Sequence, residues 1–146
     1  MICGIGTDIV QVARMAADLE RYGERFARRI LSARELAEFR DCARPAHFLA
    51  KRFAAKEAAA KALGTGFRNG LTLQQISVSH DAYGRPYLEY EGTAETLCNR
   101  RGISRSHLSL ADEADYAIAF VTLESVVSPP AIGLDAGPDT GPHSGP

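Results

Sequence analysis

The sequence predicts an α+β fold, and three features carry that reading. Ala46 to Leu63 is Ala-rich and contains neither Pro nor Gly, so one long helix is expected there. Beyond Gly66 the apolar spacing changes from helical to alternating, in Leu73 to Ser79, Tyr87 to Tyr90 and Tyr116 to Leu123. A chain of 146 residues with 45% hydrophobic and 24% charged residues suits one packed core. That composition excludes a wholly disordered, collagen-like or coiled-coil chain.

The elements follow in order. Ile2 to Gly6 reads as a short buried strand that ends at Gly6 and turns into the segment beginning Thr7-Asp8. From Ile9 to about Tyr22, Val12, Ala13, Ala16 and Leu19 keep helical spacing. Arg14, Arg21, Arg25 and Arg28 then lie within about 60° of one another, forming a basic stripe if the helix continues through Gly23. Ser32-Ala33-Arg34-Glu35 fits a capping box and opens a helix to about Cys42. Pro45 suits the first turn of the Ala-rich helix, and Gly64 suits the left-handed position after it. Leu73 to Ser79, a turn at Asp81 to Gly84 and Tyr87 to Tyr90 make a hairpin. Thr93 to about Arg101 is a short helix closed by Gly102, followed by strands at His107 to Leu110 and Tyr116 to Leu123. The folded domain is expected over 1–124, and 125–146, where Gly and Pro recur, is expected to be a disordered tail.

Charge is uneven. Residues 1–66 hold 12 Lys+Arg against 8 Asp+Glu (+4), and residues 67–146 hold 5 against 10 (−5). An acidic partner is therefore sought on the first half, and the acidic second half argues against a general nucleic-acid binder. No apolar run approaches the roughly 20 residues of a membrane span, and the start lacks the pattern of a signal peptide, so a cytoplasmic setting is expected. Cys3, Cys42 and Cys98 form no CxxC pair, which points away from a disulfide framework or a structural zinc site.

Several side chains could carry chemistry. Asp8, read as lying beside glycines at a strand-to-helix junction, could reach a ligand. Asp8-Ile9-Val10-Gln11 also resembles a helix cap, the reading the spacing alone favours. Glu57 and Lys61 could be an ordinary i,i+4 pair. Yet Leu49, Phe53, Ala60 and Leu63 cover an arc of about 80° that includes Lys56, and Glu57 lies about 40° beyond Phe53. Charges so placed need an opposite charge, a metal ion or a phosphate. His107 and Ser109 project from one face of their strand, and no GxSxG elbow frames them, so ligand contact is preferred to a hydrolase pair. His47, His80 and His143 receive no role.

Three segments together resemble the holo-acyl-carrier-protein synthase family of 4′-phosphopantetheinyl transferases. They are Gly4-Ile5-Gly6-Thr7-Asp8-Ile9-Val10, the run Phe48 to Gly66 containing Lys56-Glu57-Ala58-Ala59-Ala60-Lys61-Ala62-Leu63-Gly64, and His107-Leu108-Ser109-Leu110. The likeness extends from Met1 to about Glu124, including Arg68-Asn69-Gly70 and Gly84-Arg85-Pro86. The resemblance implies Mg²⁺-dependent transfer of 4′-phosphopantetheine from coenzyme A to a serine of apo acyl carrier protein, in fatty acid biosynthesis, releasing adenosine 3′,5′-bisphosphate. It implies Asp8 and Glu57 as metal ligands, Glu57 and Lys61 as catalytic, and Lys61, Arg52, Gly64, His107 and Ser109 as contacts to coenzyme A. A compact homotrimer is implied, with the long Ala-rich helix on a small, mostly antiparallel sheet and sites at subunit boundaries. Acyl carrier proteins are acidic, so Arg14, Arg21, Arg25 and Arg28, with Met15 and Phe26 nearby, become the docking face. Many family members carry Ser or Thr and then His after Leu110, where this chain has Ala111-Asp112-Glu113. That leaves a metal-bound water, or Glu57 through a water, to take the serine proton. The alternative is a carrier-binding module without turnover, against which intact Asp8, Glu57 and Lys61 count.

Overall fold

Strand β1 runs Ile2–Gln11, past the stop expected at Gly6, in a computed structural model that describes residues 1–126. The reason is packing. A Cβ on Gly6 would lie 1.9 Å from the Ala58 carbonyl oxygen and one on Gly4 2.2 Å from that of Ala62. The bare glycines therefore let a helix backbone press directly on an unbroken strand. Asp8 consequently lies within β1 rather than at a junction, and helix α1 (Val12–Tyr22) starts after Gln11 with no side-chain cap, which removes the capping role of Asp8.

Gly23, at φ +60° and ψ −147°, ends α1 and begins α2 (Glu24–Ile30). Only glycine occupies that region readily, so the helix does not continue and the basic stripe is divided between two helices. Helix α3 (Ala33–Asp41) opens on the expected capping box: Glu35 N–H donates to Ser32 Oγ at 3.4 Å, and Ser32 N–H donates to Glu35 Oε1 at 3.0 Å. Helix α4 (Pro45–Leu63) has Pro in its first turn and ends at Gly64, φ +76°, as the sequence predicts.

A 3₁₀ turn at Leu73–Gln75 precedes the hairpin of β2 (Ile76–His80) and β3 (Pro86–Tyr90). Helix α5 (Gly92–Arg100) leads to β4 (Ile103–Asp112) and β5 (Tyr116–Ser125). The strands form a three-stranded antiparallel sheet in the order β1-β5-β4 and the separate β2-β3 hairpin. Ser125, expected to open the tail, is the buried last residue of β5, and its N–H donates to Met1 O at 2.8 Å. The rest of the predicted tail, 127–146, lies outside the described residues.

Helix α4 packs along one face of this sheet. Ala54, Ala55, Ala58, Ala59 and Ala62 lie in the same core as Val10, Ala117, Ala119, Val121 and Leu123. Alternation along β1 turns Gly4, Gly6, Asp8 and Val10 towards α4 and leaves Ile5, Thr7 and Ile9 on the outer face. Among the described residues, no helix is long and apolar enough to cross a membrane.

Candidate active site

Asp8 and α4 meet where the glycine-bearing stretch of β1 ends. Lys61, one turn beyond Glu57, donates from Nζ to Asp8 Oδ1 and to Thr7 O, each at 3.0 Å. The Lys61 side chain is 52% exposed and that of Asp8 16%, so the pair opens to solvent from one side. Burial pushes the Glu57 carboxyl up from the ordinary carboxylate range; the Asp8 charge raises it further, and Lys61 opposes both. Two acids thus share one lysine, and the cluster has room for more positive charge. Among the described residues, no three His, Cys, Asp or Glu side chains gather as a metal-binding group. Two carboxylates beside open space nevertheless suit a hard cation that keeps water and phosphate oxygens as its other ligands. Gly64 closes the same helix, and beside it the Thr65 hydroxyl is buried without a hydrogen-bond partner.

Arg52 does not join this cluster. It lies about 140° round α4 from Glu57, with its side chain only 6% exposed. Its Nε is 3.7 Å from Glu35 Oε2, its Nη2 donates to Glu38 Oε2 at 3.5 Å, and its guanidinium sits 4.3 Å from the centre of the Phe48 ring. Within the chain the Arg52 side chain is thus held by Glu35, Glu38 and Phe48, apart from the Asp8 cluster.

His107 and Ser109 share a face, as their spacing predicts, but it is the outer face of the sheet. The register sets Ser109 opposite Phe120 and Phe120 opposite Thr7, whereas Asp8 lies opposite Ala119 on the inner face. Strand β5 therefore separates both residues from Asp8 and Glu57 within one chain. His107 Nε2 lies 3.1 Å from Glu124 Oε2, and this hydrogen bond holds the Glu124 carboxyl below its usual range. His107 also lines a cavity of about 520 Å³ between β3 and β4, together with Arg85, Pro86, Tyr87 and Arg105. Arg105 and the cavity were not singled out from the sequence; the turn Gly84-Arg85-Pro86 was the available signal.

Arg14 and Arg21 on α1 and Arg25 and Arg28 on α2 are all exposed. The Arg21 guanidinium lies 5.1 Å from the centre of the Tyr22 ring, and Arg28 pairs with Glu24 at 3.3 Å. Arg25, Tyr22 and half-buried Phe26 edge a depression of about 420 Å³. Met15, expected at this face, is buried in the core instead.

Comparison with known proteins adds independent evidence. Residues 4–121 match the family described as the 4′-phosphopantetheinyl transferase superfamily. The chain is 63% identical over 123 residues to a holo-[acyl-carrier-protein] synthase of Nitrosococcus oceani, covering 84% of this chain and 80% of the relative. The crystal structure of holo-[acyl-carrier-protein] synthase from Neisseria meningitidis superposes with a TM-score of 0.82 at 46% identity, covering 86% of this chain and all of that one. A Bacillus anthracis holo-(acyl-carrier-protein) synthase, solved in complex with CoA (3′,5′-ADP), gives a TM-score of 0.71 at 35% identity, covering 86% and 98%. The chain thus belongs to the 4′-phosphopantetheinyl transferase superfamily, as an enzyme of its holo-[acyl-carrier-protein] synthase family.

Proposed function

We propose that this enzyme transfers 4′-phosphopantetheine from coenzyme A to a serine of apo acyl carrier protein, in fatty acid biosynthesis. The observation that carries the chemistry is the half-open cluster in which Asp8 and Glu57 share Lys61 and the Glu57 carboxyl is held above its usual range. The serine oxygen bonds to the phosphorus bearing pantetheine. The bond from that phosphorus to the bridging oxygen breaks, and adenosine 3′,5′-bisphosphate leaves with the electron pair. Asp8 and Glu57 would hold Mg²⁺, whose bound charge neutralises phosphate oxygens. Lys61, anchored at Asp8 and Thr7, brings positive charge to the same phosphates. Glu57, beside the transferred phosphate in this reading, is the route for the serine proton through a water.

The cavity beside His107, with Arg85 and Arg105, suits the nucleotide end of coenzyme A, and Ser109 and Gly64 complete the contacts. Because His107 and Ser109 face away from Asp8 of their own chain, a site built from two copies accounts for both groups. The outer sheet face supports such assembly: Ile5 is 62%, Ile9 60% and Phe120 41% exposed there, a set of apolar side chains that a homotrimer would cover. Arg14, Arg21, Arg25 and Arg28 form the docking face for the acidic carrier. A cytoplasmic setting belongs to the same reading and is supported by the free thiols Cys3, Cys42 and Cys98.

The test is intact-mass spectrometry of apo acyl carrier protein incubated with the enzyme, coenzyme A and Mg²⁺. A mass gain equal to phosphopantetheine, abolished by chelation, is expected. Folded enzyme that modifies none of several carriers would overturn the assignment.

A further inference from the structure

Helix α4 presents an almost uniform surface to the sheet. Ala54, Ala55, Ala58 and Ala59 are fully buried and Ala62 nearly so, and opposite them Gly4 and Gly6 have no side chains to interlock with. Methyl groups packed on bare strand backbone bring the helix close but specify its rotation weakly, because one alanine fits where another did. Rotation matters here. Neighbouring helix residues differ by about 100°, so a turn of one residue step would move Glu57 and Lys61 away from Asp8 and bring Lys56 towards it.

On the other side of α4, a buried charge cluster breaks this degeneracy, and its closest contact is between Lys56 and Glu35, with Arg52 Nε 3.7 Å from the same carboxylate. Lys56 and Glu35 are both fully buried and form an ion pair. Lys56 Nζ also donates to Leu73 O at 3.0 Å. Glu35 Oε1 accepts from Ser32 N–H and Glu35 Oε2 from Val78 N–H, each at 3.0 Å, so the carboxylate is tied to the start of α3 and to β2. Buried ion pairs are weak sources of net stability, and their best-attested use is to fix a register.

We propose that the Glu35–Lys56 pair is a positioning device that fixes the rotation of α4 and so aims the adjacent Glu57, and Lys61 a turn later, at Asp8. Its catalytic consequence rests on the reading of Asp8 and Glu57 as cation ligands; the positioning itself does not. The device separates two tasks along one helix: the glycine seat sets how close α4 comes to β1, and the buried pair sets which side chains face it.

The test uses the full chain with Glu35→Gln/Lys56→Met, a double variant that removes both charges together and keeps an amide oxygen for the Ser32 or Val78 N–H. Glu35→Asp is the second variant, since it keeps both charges and withdraws the carboxylate by one methylene. Val121→Ala serves as a control that loosens the core on the sheet side. Two readouts are taken beside thermal unfolding: NMR cross-peaks between Lys61 Hε and Asp8 Hβ in metal-free protein, and affinity for Mn²⁺. The double variant is expected to stay folded, lose the cross-peaks and bind Mn²⁺ at least about tenfold more weakly. Glu35→Asp should weaken both in the same direction, and Val121→Ala should keep both despite its lower melting temperature. A folded double variant with wild-type cross-peaks and wild-type Mn²⁺ affinity would overturn the proposal. If the double variant does not fold, Glu35→Asp decides by the same criteria. Wild-type protein that fails to bind Mn²⁺ would contradict the ligand reading, while the cross-peaks would still judge the positioning.

Discussion

Two charge clusters flank α4, and they differ in how completely their charges are matched. On one side Glu35 and Glu38 meet Lys56 and Arg52, with Glu35, Lys56 and Arg52 buried. On the other, Asp8 and Glu57 meet Lys61 alone, and Lys61 is half exposed. The first cluster is balanced and closed, whereas the second is one positive charge short and open. Lys56 and Glu57 are sequence neighbours, so burial and partner count distinguish a structural charge from a chemical one here, and residue type does not.

The largest expected effect is on the closed side. Lys56→Met leaves buried Glu35 with only the longer contact to Arg52, at 3.7 Å, and should cost up to about 3–5 kcal/mol of stability, measured by denaturant unfolding. On the open side, Asp8→Asn or Glu57→Gln should lower the rate of carrier modification by about 10²–10³-fold, with the fold retained by circular dichroism. A stability loss at Glu57 as large as that at Lys56 would erase the contrast. Next comes the proposed docking face: Arg21→Glu should raise the KM for the carrier by about five- to tenfold, with little change in that for coenzyme A, and equal changes in both would remove Arg21 from that proposal.

The smallest effect sharpens the comparison most. The Glu57 carboxyl is raised in the folded state, so the fold binds its proton more tightly than the unfolded chain does. Stability contributed by that proton is present at low pH and is lost as pH climbs from the ordinary glutamate value, 4.5, through the higher folded value. Glu57→Gln should therefore melt above wild type at pH 7 without metal. The difference should vanish as pH falls towards 4, and scanning calorimetry across that range checks it.

Much of the frame was legible in the sequence because local chemistry decides it. Ser32 and Glu35 form their capping box, Gly64 takes its left-handed turn, and His107 and Ser109 share a face. Other features depend on what lies across the fold. Gly6 looked like a stop and is a seat for the Ala58 backbone, so Asp8 moved from a junction into a strand. Gly23 sits where the apolar spacing gave no warning of its positive φ. Lys56 fell inside the apolar arc and did need a partner, but only the fold shows that Glu35 supplies it. The surroundings of Arg52 were not legible for a related reason: α4 is buried nearly all round, so periodicity offers no polar face on which to place an arginine. The Asp8–Glu57–Lys61 grouping came from resemblance, and the geometry adds that Lys61 bridges to Asp8 while Glu57 feels both.

The most direct test of the open cluster as a cation seat is titration of the enzyme with Mn²⁺ in the absence of coenzyme A, comparing wild type, Asp8→Asn, Glu57→Gln and Lys61→Met. Loss of either carboxylate should weaken binding by about tenfold or more, and Lys61→Met should strengthen it, because the ammonium now bonded to Asp8 competes with the metal. Binding that ignores both carboxylates, or that weakens when Lys61 is removed, would contradict the assignment.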